Sequence, residues 1–177
     1  MYEAMGRTVL LLCKMGEFKK AVEETTMDKQ DFVYVTYIVT TPEKLWTALT
    51  DPEVSHQYFF GRRIELGGTV GSPFILRMED RRIDSQGKIL ECDPPRRLSI
   101  TWHVEWLEEY RHLPEAIVTY QIDPLGDLVR LTLRESHPEP IDDKYLEGGR
   151  RGWPIILSGL KSLIETGRPL PKFDWSA

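Results

Sequence analysis

Gly152-Trp153-Pro154-Ile155-Ile156-Leu157-Ser158-Gly159-Leu160-Lys161-Ser162-Leu163-Ile164-Glu165-Thr166-Gly167 is the stretch on which the fold turns. Trp153, Ile156, Leu157, Leu160, Leu163 and Ile164 recur three and four residues apart. That spacing places them on one face of a helix and leaves Lys161 and Glu165 off it. Such a stripe needs an apolar surface to close against. Pro154 lacks an N–H, so the spacing predicts a kink or a restart of the helix at that point.

The surface is supplied upstream. Leu98, Ile100, Trp102, Val104 and Trp106 alternate with Ser99, Thr101, His103 and Glu105, the pattern of a strand with one dry and one wet face. Weaker alternations place Phe74, Leu76 and Met78, then Val118, Tyr120 and Ile122, then Val129, Leu131 and Leu133 on the same side of their strands. Gly67-Gly68, Asp84-Ser85-Gln86-Gly87, Asp93-Pro94-Pro95 and Pro124-Leu125-Gly126-Asp127 punctuate them as turns. Phe32 to Val39 is rich in β-branched and aromatic residues and reads as a first strand. It feeds a short helix, Thr41-Pro42-Glu43-Lys44-Leu45-Trp46-Thr47-Ala48-Leu49, with Thr41 as cap and proline in the first turn. Asp51-Pro52 ends that helix, and a second short piece carries His56, Tyr58, Phe59 and Phe60. The expected class is α+β: a curved antiparallel sheet of about six to seven strands around a long C-terminal helix.

The chain has 177 residues, enough for one core, and residues 27–177 read as a single domain. Residues 1–26 differ, with a short apolar run and then the charged segment Gly16 to Glu24, and read as an N-terminal extension, Met27 being an alternative start. Val9 to Cys13 is interrupted by Lys14 and is too short to span a bilayer, so no membrane span is expected. A formal net charge of −5 argues against a nucleic-acid partner. Cys13 and Cys92 stand apart with no CxxC or Cys/His cluster, which points to a reduced, cytoplasmic setting.

The order strand, Pro42-Glu43-Lys44-Leu45-Trp46 helix, hairpins, Asp93-Pro94-Pro95-Arg96-Arg97-Leu98 with Trp102, and the Gly152 to Gly167 helix resembles the SRPBCC superfamily. Within it the chain is similar to the C-terminal domain of activators of the heat-shock chaperone ATPase, from about Phe32 to Pro169. The resemblance implies a helix-grip, START-like fold, with a cavity between sheet and helix that in several relatives holds lipid-like or polyketide-like molecules. It implies no single reaction, because members include carriers, cyclases and co-chaperones.

On this frame Phe74, Leu76, Trp102, Tyr120, Leu131, Trp153 and Leu157, with Val104, are candidate lining, and Trp46 and Tyr58 to Phe60 lie near a mouth. Two readings stand: these residues fill a core, or they line an apolar site with Tyr120 and Tyr34 as oriented hydroxyls. No catalytic residue is assigned. His56, His103, His112 and His137 have no three- or four-residue spacing among them, so no metal is expected, and Gly67-Gly68 lacks the context of a phosphate loop, so no cofactor is expected either. His103 is expected on the wet face, and His56, beside the mouth, is a candidate acid or base. The carboxylate pairs Glu108-Glu109 and Asp142-Asp143 read as solvated turns, with the second pair able to cap the last helix. Four arginine doublets, Arg62-Arg63, Arg81-Arg82, Arg96-Arg97 and Arg150-Arg151, either converge on an anion or stand dispersed.

Three functions follow: a binding protein for a small apolar or amphipathic molecule, a partner of a heat-shock chaperone, or an enzyme of the cyclase or dehydratase kind. The chaperone activators carry a further N-terminal domain for which residues 1–30 are too short. The enzyme needs an ionisable group facing inward, and the strand alternation places almost none there.

Overall fold

β1 (Phe32–Ile38) and the closing helix α3 (Asp143–Thr166) bracket the fold in the computed structural model, which describes residues 31–171. The extension over residues 1–26 lies outside the described residues. Between the brackets come α1 (Pro42–Thr50), α2 (Pro52–Tyr58), β2 (Arg63–Leu66), β3 (Pro73–Arg77), β4 (Ile83–Asp93), β5 (Arg97–Val104), a 3₁₀ turn at Glu108–Tyr110, β6 (Ala116–Leu125) and β7 (Leu128–Ser136).

The seven strands form one sheet in the order β1-β7-β6-β5-β4-β3-β2, and every neighbouring pair is antiparallel. The sheet is curved, and register shifts between Leu76 and Arg77 and between Ile89 and Glu91 mark bulges, which bend a strand and increase its local twist. This is the helix-grip arrangement.

Local chemistry explains the helices. Thr41 Oγ1 accepts from Lys44 N (3.3 Å), and Pro42 occupies a position where a missing N–H costs nothing. Asp51 serves twice: its own N–H returns to Thr47 O (2.8 Å) to close α1, while its carboxylate accepts from Glu53 N and Val54 N (2.8 and 3.0 Å) to open α2. Asp142 caps α3 through Lys144 N (3.2 Å). Gly159 lets α3 approach α2, since a Cβ there would lie 3.3 Å from Tyr58 O.

Of the kink or restart expected at Pro154, α3 excludes the restart. The helix begins at Asp143 and runs through the proline, and Ser158 Oγ bonds back to Pro154 O (2.6 Å). Gly148, Gly149 and Gly152 are poor helix formers and hide this extension in the sequence, whereas burial of Leu146 and the Asp142 cap hold it. The stripe itself faces inward: Trp153, Ile156, Leu157 and Leu160 are buried, and Leu163 and Ile164 pack against the core. Lys161 and Glu165 latch the helix to the end of β1, through Tyr37 O (2.5 Å) and Val39 N (2.8 Å).

β5 is shorter than its alternation predicts. It ends at Val104, and the N–H groups of Glu105 and Trp106 converge on Asp84 O (2.8 and 3.2 Å), which turns Trp106 out to 46% exposure. No helix among the described residues is long and apolar enough to cross a membrane.

Candidate functional site

The interior is part packed and part open. Leu45, Leu76, Leu131, Leu133, Leu157 and Leu160 are packed out of reach of solvent. Against α3 from Tyr145 to Gly159, and reaching Pro169 to Pro171 beyond its end, a cavity of about 1280 Å³ opens between helix and sheet. Ser85, Trp102, Val104, Ala116, Glu135 and His137 contribute the sheet side, His56 to Arg62 the α2 side, and Trp106 to Pro114 the connection between β5 and β6.

Strand register dictates these neighbours. One row across the sheet pairs Leu98 with Tyr120, Tyr120 with Leu133 and Leu133 with Tyr34. The next pairs Ile100 with Val118, Val118 with Glu135 and Glu135 with Phe32. The outermost pairs Trp102 with Ala116, beside which His137 follows the end of β7. Because alternate residues of a strand share a face, Val129, Leu131 and Leu133 are succeeded on the inner side by Glu135 and then His137.

Aromatic rings make the wall. Trp102 lies 5.0 Å from Phe74, 5.4 Å from Trp153 and 6.4 Å from Phe59 between ring centroids, and Trp153 meets Phe59 and Tyr120 edge-on at 6.0 and 6.3 Å. Edge-to-face packing of this kind adds to area burial. Two polar groups interrupt it. At one, the buried Asp84 accepts from Arg62 Nε (2.5 Å) and Ser85 Oγ (2.8 Å), while Arg62 also donates to Phe60 O (3.2 Å) and lies over the Phe60 and Trp106 rings. At the other, Glu135 receives the indole N–H of Trp153 on Oε2 and the His137 ring nitrogen Nε2 on Oε1 (3.0 Å). Gly149 makes room for that carboxylate, since a Cβ there would stand 2.6 Å from Oε2.

Burial sets the tyrosines. The Tyr58 hydroxyl, donating to Ala48 O (3.0 Å), titrates well above the usual phenol range because burial opposes its charge and Tyr120 adds to the effect. Tyr120 is likewise pushed up by burial and, secondarily, by the Glu135 charge. Both hydroxyls stay protonated at neutral pH.

Of the residues singled out in the sequence, the structure brings Trp102 and Trp153 to the cavity wall, with Val104 and Tyr58 to Phe60 beside them. Phe74, Leu76, Leu131 and Leu157 lie in the packed core, Tyr120 stands against Trp153, and Trp46 and Tyr34 pack on the core's outside. His56 reaches the cavity, its Nδ1 bonded to Gly61 O (2.9 Å). His103 is half-buried rather than on a fully wet face, held by Glu105 (3.2 Å) and Arg111 O (3.2 Å) where the strand ends.

The paucity of inward ionisable groups is corrected: Asp84, Glu135 and His137 all face this interior, with side chains 8%, 14% and 8% exposed. Period-two extension of the Val129, Leu131, Leu133 series finds the last two. Asp84 carries no such signal, lying within a segment that reads as a turn. The arginine doublets are dispersed: Arg63 pairs with Glu53, Arg82 with Asp80, Arg96 with Asp93, Arg97 with Glu91, and Arg150 and Arg151 with Glu147. Among the described residues no three His, Cys, Asp or Glu side chains group as metal ligands.

Residues 39–165 match the family described as Activator of Hsp90 ATPase homolog 1-like protein. Among solved structures, protein MLL2253 from Mesorhizobium loti is 24% identical with a TM-score of 0.63, over 75% of this chain and 95% of that one. PFC0360w, an Hsp90 activator from Plasmodium falciparum, is 21% identical with a TM-score of 0.62, over 75% and 94%. DynU16, a putative protein in the dynemicin biosynthetic locus, is 19% identical with a TM-score of 0.65, over 84% and 57%. At these identities the likeness is one of fold. No curated protein matches the chain.

Proposed function

We propose that this chain, which belongs to the Activator of Hsp90 ATPase homolog 1-like family, binds a small, mostly apolar molecule in the cavity between α3 and the sheet. The observation that carries the reading is the cavity itself. At about 1280 Å³ it has room for a drug-sized or lipid-like ligand, and it joins an aromatic wall to a few fixed polar groups, the usual composition of small-molecule sites. Trp102, Phe59 and Trp153 supply contact area, while the Arg62–Asp84 pair and the Glu135–His137 pair orient whatever enters. A cytoplasmic setting accords with the free thiol of Cys92.

A ligand of about 20 heavy atoms at roughly 0.3 kcal/mol each would bind with about 6 kcal/mol, a dissociation constant in the tens of micromolar. Displacement of a fluorescent fatty acid, together with native mass spectrometry at high micromolar ligand, tests this. Saturable one-to-one binding is expected. Absence of any saturable complex in both assays overturns the reading.

A partnership with a heat-shock chaperone is the second reading, supported by the family and by the fold shared with the Plasmodium falciparum Hsp90 activator. It predicts a stimulated chaperone ATPase. An unchanged rate together with an empty pull-down removes it.

A further inference from the structure

Arg62 keeps its positive charge throughout the working pH range, and every group that holds it lines the cavity with it. Its Nε donates to Asp84 Oδ2 (2.5 Å), its Nη1 donates to Phe60 O (3.2 Å), and its Cζ lies 5.9 and 6.0 Å from the Phe60 and Trp106 ring centroids. Asp84 builds this seat from both ends. Its carboxylate fixes the guanidinium, while its carbonyl accepts from the N–H groups of Glu105 and Trp106 and so places the Trp106 ring. Phe60 adopts a left-handed backbone (φ 52°) that residues other than glycine rarely take, and Gly61 follows it (φ 74°), so that the turn between α2 and β2 delivers ring and carbonyl to the same arginine. Backbone held this way clusters at ligand clamps.

One end of the group is left over. A guanidinium has five N–H donors, and Nη2, which carries two of them, has no hydrogen-bond partner among the described residues. The Arg62 side chain is 21% exposed, and Nη2 is not among the unpartnered polar atoms shut off from solvent. We infer that Arg62 Nη2 is the donor that receives a carbonyl oxygen of an otherwise apolar, uncharged ligand. The inference rests on the proposed ligand-binding reading and narrows it. Asp84 already neutralises the guanidinium, and the Glu79 carboxylate lies against Gly61, where a Cβ would stand 2.8 Å from its Oε1. A carboxylate ligand would meet both acids, whereas a ketone oxygen accepts the same N–H groups and brings no charge. The class favoured is an aryl ketone, its rings on Phe59 and Trp102 and its carbonyl toward the turn between α2 and β2.

Two probes of one shape test it, 2-acetylnaphthalene and 2-isopropenylnaphthalene, in which a terminal methylene takes the place of the carbonyl oxygen. NMR titration of the protein should give the ketone the lower dissociation constant, by about ten-fold or more for a hydrogen bond to a charged donor. 2-Naphthoate should bind more weakly than the ketone. In the double variant Arg62→Met with Asp84→Asn, which removes both charges together and leaves neither unpaired, the ratio of the ketone and alkene constants should fall to about one. Because that variant could fail to fold, the unsubstituted protein supplies a second readout. The infrared carbonyl band of bound, isotope-labelled 2-acetylnaphthalene should lie at or below its frequency in water, and the acetyl methyl should show nuclear Overhauser contacts to the Phe60 or Trp106 ring. Equal affinities for ketone and alkene, a carbonyl band at its alkane-solvent frequency, a preference that survives in the double variant, or a tighter 2-naphthoate complex each overturn the inference and leave the cavity reading standing. If none of the three probes binds but the fluorescent fatty acid is displaced, the carbonyl subsite alone is refuted. If nothing binds, the cavity reading fails with it.

Discussion

Trp153→Phe is the sharpest probe of the Glu135 junction, because it keeps an aromatic ring at the centre of the cluster and removes the donor that ties α3 to β7. Trp153 is 4% exposed, its ring is edge-on to Phe59, Trp102 and Tyr120, and its N–H reaches a carboxylate whose side chain is 14% exposed. A hydrogen bond to a charged group contributes about 1.5–3 kcal/mol, and the smaller ring forfeits about 1 kcal/mol of apolar burial. The expected loss is therefore about 3 kcal/mol, or roughly 6–12 °C in Tm for a domain of this size. Urea unfolding followed by far-ultraviolet circular dichroism avoids the fluorescence lost with the indole. The same measurement on Glu135→Gln and on the double variant should give a coupling of about 1–2 kcal/mol. A loss of no more than about 1 kcal/mol with coupling near zero would refute the reasoning, since ring area alone would then account for the effect.

The division of the interior predicts an inversion of the usual size order. Leu131→Ala, at a site with no solvent exposure, should cost about 2–5 kcal/mol, whereas Trp102→Ala, at the edge of an open cavity, should cost less than Leu131→Ala despite deleting far more side chain; equilibrium denaturation of the pair decides it, and a costlier Trp102→Ala contradicts a cavity at that place. Glu165 gives the pH dependence. The Lys161 ammonium, then the Val39 N–H, hold its carboxyl below the ordinary value of 4.5 in the folded chain. A depressed folded value means stabilisation that is full above the unfolded value and lost as pH falls through the folded one. Glu165→Gln should thus lower the urea midpoint at about pH 7, by a gap that narrows as pH falls below 4.5; a gap that stays constant as pH falls through the folded value excludes the latch.

The fold was legible wherever one period ran long enough. The alternation from Leu98 to Val104 and the stripe from Trp153 to Ile164 each name an element and its buried face, and the Thr41-Pro42 and Asp51-Pro52 pairs place the start and the end of α1. The first turns of α3 were legible only through the Asp142-Asp143 pair as its cap, because three glycines argue locally against a helix that packing of Leu146 helps to enforce. The site was legible in kind but not in place. Alternation tells which residues point inward; it does not tell where along a strand the facing helix lies close enough to exclude space. Hence Leu131 and Leu157 fall in solid core and Trp102 and Trp153 on open wall, although the sequence treats all four alike. Glu135 and His137 continue an apolar series with polar members, and a reading by hydrophobicity stops one step before them.

β1 precedes every other described strand, yet its only partner in the sheet is β7, the last. During synthesis, then, Tyr34 and Ile38 must wait without their permanent neighbours until residues 128–136 have left the ribosome, and the Lys161 and Glu165 clasp on β1 forms later still. Pairings so distant in sequence make for slow, late closure, with an adhesive strand exposed in the meantime. Assembly of this domain is therefore completed only once α3 has emerged, and loss of even the last turns of that helix would strike at the first strand as much as at the last.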